Sequence, residues 1–210
     1  MILLRNPRWA ADLGPGASTL EELRALPLND DVLIAFSTGV IVPPDILGRV
    51  RAAYNFHAAS PDYPGRDPHH WAVYERAESF GATCHVMTER VDEGPIIRVL
   101  RFPLRPDMTP AQVRDRAEQT ALTLYRDLLP SLLDGSARPC GETWTGPKRT
   151  RKDFLAICNV PSDANQEEIN RRIFAFSMPG HDNVKVNRSN DGDFHEIGPT
   201  PSSDRPAIKF

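Results

Sequence analysis

The chain is short of cysteine, of net charge and of long apolar runs, and each shortage closes off a class of function. Its three cysteines, Cys84, Cys140 and Cys158, are odd in number, widely spaced and include no CxxC pair. That usage fits reduced, structural thiols better than a disulfide framework or a zinc site. The 25 Lys and Arg against 28 Asp and Glu leave a formal charge of −3, without the basic surplus that gripping a phosphate backbone requires. Nucleic acid is therefore not the expected partner. No segment reaches the ~18 apolar residues of a membrane span, and the apolar part of the opening MILLRNPRWAADL is too short for a secretory leader. The expectation is a cytoplasmic protein with no membrane partner.

What is present is enough chain, 210 residues, for one main domain with a small appendage. STLEELRAL (18–26) reads as a short helix opened by a Ser18-x-x-Glu21 capping box, with Leu20, Leu23 and Leu26 on one face. DVLIAFSTGVIVPPDIL contains a continuous apolar run, Val32 to Phe36, of the kind that is buried on both faces of a parallel sheet. A helical turn follows at 45–50, and Ala52 to His57 reads as the next strand. HHWAVYERA predicts a helix over 69–77. Strands are expected near 82–88 and 96–102, joined by a turn at Asp92-Glu93-Gly94. Thr109 at N-cap and Pro110 at N1 open a long helix that ends by Gly135 and that Pro130 should kink or interrupt. From 139 onward the character changes. Residues 140–161 show no sustained period, 165–176 is a helix candidate with Asn165 and Glu168 in capping spacing, and NVKVNRSNDGDFHEI reads as a hairpin before a mobile tail. The organisation expected is a catalytic domain over 1–139 and an extension over 140–210.

Two residues stand out. Asn55 and His57 share one face at the carboxyl end of a strand, because strand side chains alternate with period two, and that edge of a parallel sheet is where ligands bind. Asp92 lies in a second loop bracketed by Gly94. An imidazole near a carboxylate is a general base whose cation can be stabilised, and an amide beside it can donate to an oxyanion. The set describes acyl transfer. His69 and His70 do not offer metal spacing, since sequence neighbours do not share a helical face.

Asn55-Phe56-His57, Tyr63-Pro64-Gly65, Trp71-Ala72-Val73, Gly81-Ala82-Thr83 and Val91-Asp92-Glu93-Gly94-Pro95-Ile96-Ile97 occur in order across 50–97. The pattern resembles that of the folate-dependent formyltransferases. The resemblance implies an α/β fold with a shortened Rossmann-like, mostly parallel sheet, helices on both faces, and here a small C-terminal helix and hairpin extension. It implies 10-formyltetrahydrofolate as co-substrate and Asn55, His57 and Asp92 as catalytic residues. It also implies a folate pocket drawn from Phe36, Val40, Thr83, Glu89, Arg90 and Val91. Tyr63, Arg66, His85, Arg151 and Lys152 are the candidates for acceptor contacts, and no metal is expected.

The acceptor expected is a small-molecule amine. No Gly-rich phosphate loop follows MILL, which argues against a glycinamide ribonucleotide acceptor. The C-terminal stretch is too short and too little basic to resemble the tRNA-gripping domain of methionyl-tRNA formyltransferases. TRKDFLAI and the following helix resemble the tail of sugar N-formyltransferases, so a nucleotide-linked amino sugar leads. A formyltetrahydrofolate hydrolase and a noncatalytic binding relative are the alternatives. The short N-terminal half could be completed by a partner subunit in a homodimer.

Overall fold

The computed structural model describes residues 1–178, 180 and 182–186. A five-stranded sheet in the order β1-β2-β3-β4-β5 forms its centre. The strands are β1 Ile2–Arg5, β2 Val32–Phe36, β3 Ala52–His57, β4 Ser79–Val86 and β5 Ile96–Pro103. β1, β2 and β3 run parallel, and β4 and β5 are added antiparallel. The mostly parallel α/β architecture expected from the apolar run at 32–36 is the one found.

Alternation along β2 decides what each face holds. Val32, Ile34 and Phe36 point to the same side as Tyr54 and Phe56 and pack under α5, Pro110–Leu133, through Ala121, Leu124, Tyr125 and Leu128. Leu33, Ala35 and Ala53 point to the opposite side, where α2, Leu20–Arg24, and α3, Pro44–Leu47, supply Leu23 and Ile46. Helices therefore cover both faces. A 3-10 turn, Pro7–Trp9, and α1, Ala10–Leu13, lead out of β1, and α4, Pro68–Tyr74, follows the loop after β3.

The outer edge of β1 is not open. Ala17 lies beside it: its carbonyl accepts from the Arg5 N–H at 2.9 Å, and its own N–H donates to the Leu3 carbonyl at 2.8 Å. Those bonds satisfy the groups that an exposed edge strand would offer to another chain.

Three local expectations are corrected. The N-cap of α2 is Thr19 rather than Ser18: the Thr19 side chain accepts from the Glu22 N–H, and the Glu22 carboxylate accepts from the Ser18 N–H. α5 is not interrupted at Pro130 but continues to Leu133. Pro130 is exposed, so the carbonyl it leaves without an N–H partner faces solvent, while buried Leu128 and Leu132 hold the helix to the core. The stretch without visible period contains α6, Arg151–Cys158, opened by a capping box between Thr150 and Asp153.

α7, Gln166–Phe176, starts at the expected Asn165 cap. It packs with α6 on α4 through Trp71, Phe154, Cys158, Ala175 and Phe176. Two short strands, β6 Asn159–Val160 and β7 Lys185–Val186, pair parallel. β7 is the described part of the stretch read as a hairpin, and it pairs with β6; the expected turn, the second arm and the tail lie outside the described residues. Among the described residues no helix is long and apolar enough to cross a membrane.

Candidate active site

The parallel strands end together at a cleft of about 550 Å³, within the ~300–1,000 Å³ typical of small-molecule sites. Its floor is the carboxyl end of β2 and β3. Ala35 sits opposite Asn55 in the parallel ladder, and across β3 the antiparallel partners are Asn55 with His85 and His57 with Thr83. Asn55, His57 and His85 are brought to one face by this register, and all three line the cleft.

His57 is hydrogen-bonded through one ring nitrogen and faces Asp92 with the other. Its Nε2 lies 3.0 Å from the Tyr63 carbonyl, which can only accept, so the neutral ring donates there and keeps its basic lone pair on Nδ1. Nδ1 is 3.8 Å from Asp92 Oδ2. Asp92 is 3 % exposed. It adopts a left-handed backbone, φ 51°, that Asp tolerates better than most residues. Its Oδ2 accepts the Gly65 N–H at 2.8 Å, and Oδ1 lies 3.4 Å from His85 Nε2. Burial is the largest single effect and pushes the Asp92 carboxyl up, but the charge that His57 can carry and the polar groups around it, the Gly65 N–H among them, together outweigh it and hold the group well below the usual carboxylate range.

Of the remaining residues singled out in the sequence, Val40, Glu89, Arg90 and Val91 line the cleft, as do Arg66 and Arg151. Four do not. Phe36 is fully buried beneath α5, on the opposite face of the sheet from Asn55, and Ala35 takes its place on the cleft side. Thr83 is fully buried, and its hydroxyl donates to the Ala59 carbonyl at 2.7 Å, bracing the loop after β3. The Tyr63 ring packs on Phe80 with its hydroxyl toward Glu75, so that only its backbone serves the site, through His57. Lys152 is exposed on α6 and is not part of the cleft wall. His85 lines the cleft, but both its ring nitrogens face protein partners.

Sequence reading missed Trp144. This residue stands edge-on to His85, 5.0 Å between ring centres at 87°, and lies 6.0 Å from His57, while its indole N–H donates to the Gly94 carbonyl at 2.9 Å. The available signal was a lone tryptophan in an otherwise polar loop. Arg114 and Glu118, on the first turns of α5, also reach the cleft. Both are charged positions outside the apolar period of α5, which carries no sign of the space they border. His70, by contrast, directs Nδ1 to the Ala175 carbonyl at 2.6 Å and is part of the packing between α4 and α7.

A buried carboxylate beside a basic imidazole, with an amide two residues away on the same strand face, can move a proton and stabilise an oxyanion. Known proteins are similar to the chain at several levels. A methionyl-tRNA formyltransferase of Listeria monocytogenes is 31% identical over 121 residues, which are 57% of this chain and 38% of that protein. The chain thus spans about two-fifths of the length of the curated relatives it matches. Among solved structures, a sugar N-formyltransferase from a Shewanella species superposes with a TM-score of 0.74 at 20% identity, covering 97% of this chain and 85% of that one. An N-formyltransferase from Helicobacter canadensis, solved with folinic acid and dTDP-3-aminofucose, does so with a TM-score of 0.62 at 17% identity over 82% of this chain and 64% of that one. The two structural likenesses concern the fold. Residues 17–129, more than half of the chain, match the Formyl transferase family, and the chain belongs to that family.

Proposed function

We propose that this protein transfers a formyl group from 10-formyltetrahydrofolate to the amine of a small molecule, and that the acceptor is an amino sugar carried on a nucleotide. The observation that carries the reading is the convergence of Asn55, His57 and Asp92 at the cleft, with the basic Nδ1 of His57 3.8 Å from Asp92 Oδ2. The acceptor nitrogen bonds to the formyl carbon while the bond from that carbon to the folate nitrogen breaks. His57 takes the proton from the amine and returns it to the departing nitrogen, Asp92 stabilises the imidazolium in between, and Asn55 donates to the oxygen as it gains charge.

The folate suits the cleft's composition. Val40, Ile41 and Val42 form one apolar wall, and Met87 with the 88–92 segment, including Glu89, Arg90 and Val91, forms a second. Apolar walls with a few fixed polar groups are what a flat heteroaromatic ring requires. Arg66, Arg114 and Arg151 also line the cleft, and guanidinium groups are well matched to a diphosphate. The Helicobacter canadensis protein, with folinic acid and a dTDP-linked amino sugar, agrees with this reading. Residues 1–139 would then carry the chemistry, and the remainder would contribute Arg149 and Arg151 to its walls, with Trp144 packed against His85.

Turnover of 10-formyltetrahydrofolate, followed with and without a panel of nucleotide-linked amino sugars, tests the assignment. The expected result is amine-dependent turnover that falls by about 10²- to 10⁴-fold in His57→Ala. Release of free formate without any amine would instead identify a hydrolase, and folate binding without turnover a noncatalytic relative.

A further inference from the structure

One nitrogen in this cleft has two claimants. His85 Nε2 lies 3.1 Å from the Asn55 amide nitrogen and 3.4 Å from Asp92 Oδ1. The other ring nitrogen, Nδ1, is 2.9 Å from the Val86 carbonyl, which can only accept a hydrogen bond. A neutral imidazole carries one N–H. If it is spent on Val86, Nε2 presents a lone pair, which can accept from Asn55 but has nothing to give Asp92. With a proton on Nε2 the ring would serve Asp92 and would face the Asn55 N–H with an N–H of its own. The nearer of the two contacts is the one to Asn55. The ring has no freedom to turn away: it is 2 % exposed, flanked by Trp144 edge-on at 5.0 Å, and set by strand pairing directly across from Asn55.

We propose that His85 is a positioning residue for formyl transfer: it accepts one hydrogen of the Asn55 amide and thereby aims the other at the carbonyl oxygen in the cleft. The role rests on the formyltransferase reading and adds to it a fourth side chain that does not touch the reacting atoms. An amide free to rotate about its last torsion would present its oxygen as readily as its NH2, and an acceptor atom in place of a donor removes the stabilisation of the developing oxyanion. Fixing the amide through a buried neighbour costs nothing at the moment of reaction. The Val86 carbonyl, at the end of β4, fixes His85 in turn, and Trp144 packs against the ring from the loop before α6, so the aim of Asn55 is inherited from the sheet and braced by one loop residue.

Two measurements on the full-length protein test this. The first is the nitrogen spectrum of the histidine side chains in wild type, with His85→Gln used to assign the His85 signals. The expected result is an unprotonated Nε2 and a protonated Nδ1; a protonated Nε2, in either the neutral or the cationic ring, overturns the proposal. The second compares His85→Phe, which keeps a ring against Trp144 but removes the acceptor atom, with His85→Gln, whose amide oxygen can take the Asn55 hydrogen. His85→Phe is expected to lower kcat about 10- to 100-fold, the scale of a misplaced catalytic group, with KM for the folate and binding of 5-formyltetrahydrofolate unchanged within about threefold. His85→Gln should recover most of that loss. Equal losses in both variants, or full activity in His85→Phe, would overturn the role. Thermal melts of the three proteins separate a folding defect from a loss of aim. Should wild type transfer no formyl group at all, the functional reading fails, while the nitrogen spectrum still decides the His85 geometry.

Discussion

Asp92 concentrates the electrostatics of the site in one side chain. Its carboxyl titrates below the ordinary value of 3.8 because His57 and the polar groups around it together outweigh the effect of burial. A carboxyl whose folded pKa is depressed contributes stability that is complete above its unfolded pKa and is lost as pH falls through the folded one. Denaturant unfolding of wild type should therefore show stability declining from about pH 4 downward, and Asp92→Asn should flatten that acid limb. The same substitution keeps an oxygen for the Gly65 N–H but removes the charge facing His57. It should lower kcat about 10²- to 10⁴-fold, with folate binding largely retained. The residue scale is also where reading the sequence was sharpest and where it slipped. Asn55 and His57 share the cleft face because strand alternation is strict. Phe36, one position out of phase with Ala35, fails for that same reason.

At the level of elements, the cleft is closed by a zipper between the loop after β3 and the segment leading into α6. The Arg66 N–H donates to the Arg149 carbonyl at 2.9 Å, the Arg149 N–H to the Pro64 carbonyl at 3.1 Å, and the Thr145 hydroxyl to Asp62 at 2.8 Å. Gly65 is the keystone, because it crosses the zipper and gives its own N–H to Asp92. It has φ +92°, and a Cβ placed there would lie 2.3 Å from the Arg149 carbonyl oxygen. Gly65→Ala is expected to cost more than the ~1–2 kcal/mol of a left-handed Ala alone and to cut kcat as Asp92 loses its donor. Gly141→Ala is the control: φ is +86° but no atom lies within 4 Å of the added carbon, so denaturant midpoints should shift less and activity should hold.

For the whole molecule, the C-terminal helices act as a buttress for the wall that carries Arg149 and Arg151. Phe176 is fully buried among His70, Trp71, Tyr74 and Phe154, with ring centres 5.1 to 5.8 Å away. Phe176→Ala should destabilise the protein by about 3–5 kcal/mol, read from denaturant unfolding. Because the helices it joins lie beside the cleft residues 149–151, the acceptor's KM should rise more than that of the folate.

The sequence by itself determined the strands at 32–36 and 52–57, the long helix from Thr109, and the pairing of an amide with an imidazole on one strand face. These rest on local rules, the two-residue and 3.6-residue periods and the chemistry of helix caps, which neighbouring residues enforce without help. Only the tertiary structure decided the rest. Antiparallel pairing of β4 with β3 is what sets His85 across from Asn55, and the zipper at Gly65 is what seats a donor against Asp92. Trp144 reaches both histidines from far along the chain. Contacts between residues distant in sequence leave no period to read, because their partners are chosen by the packing of whole elements.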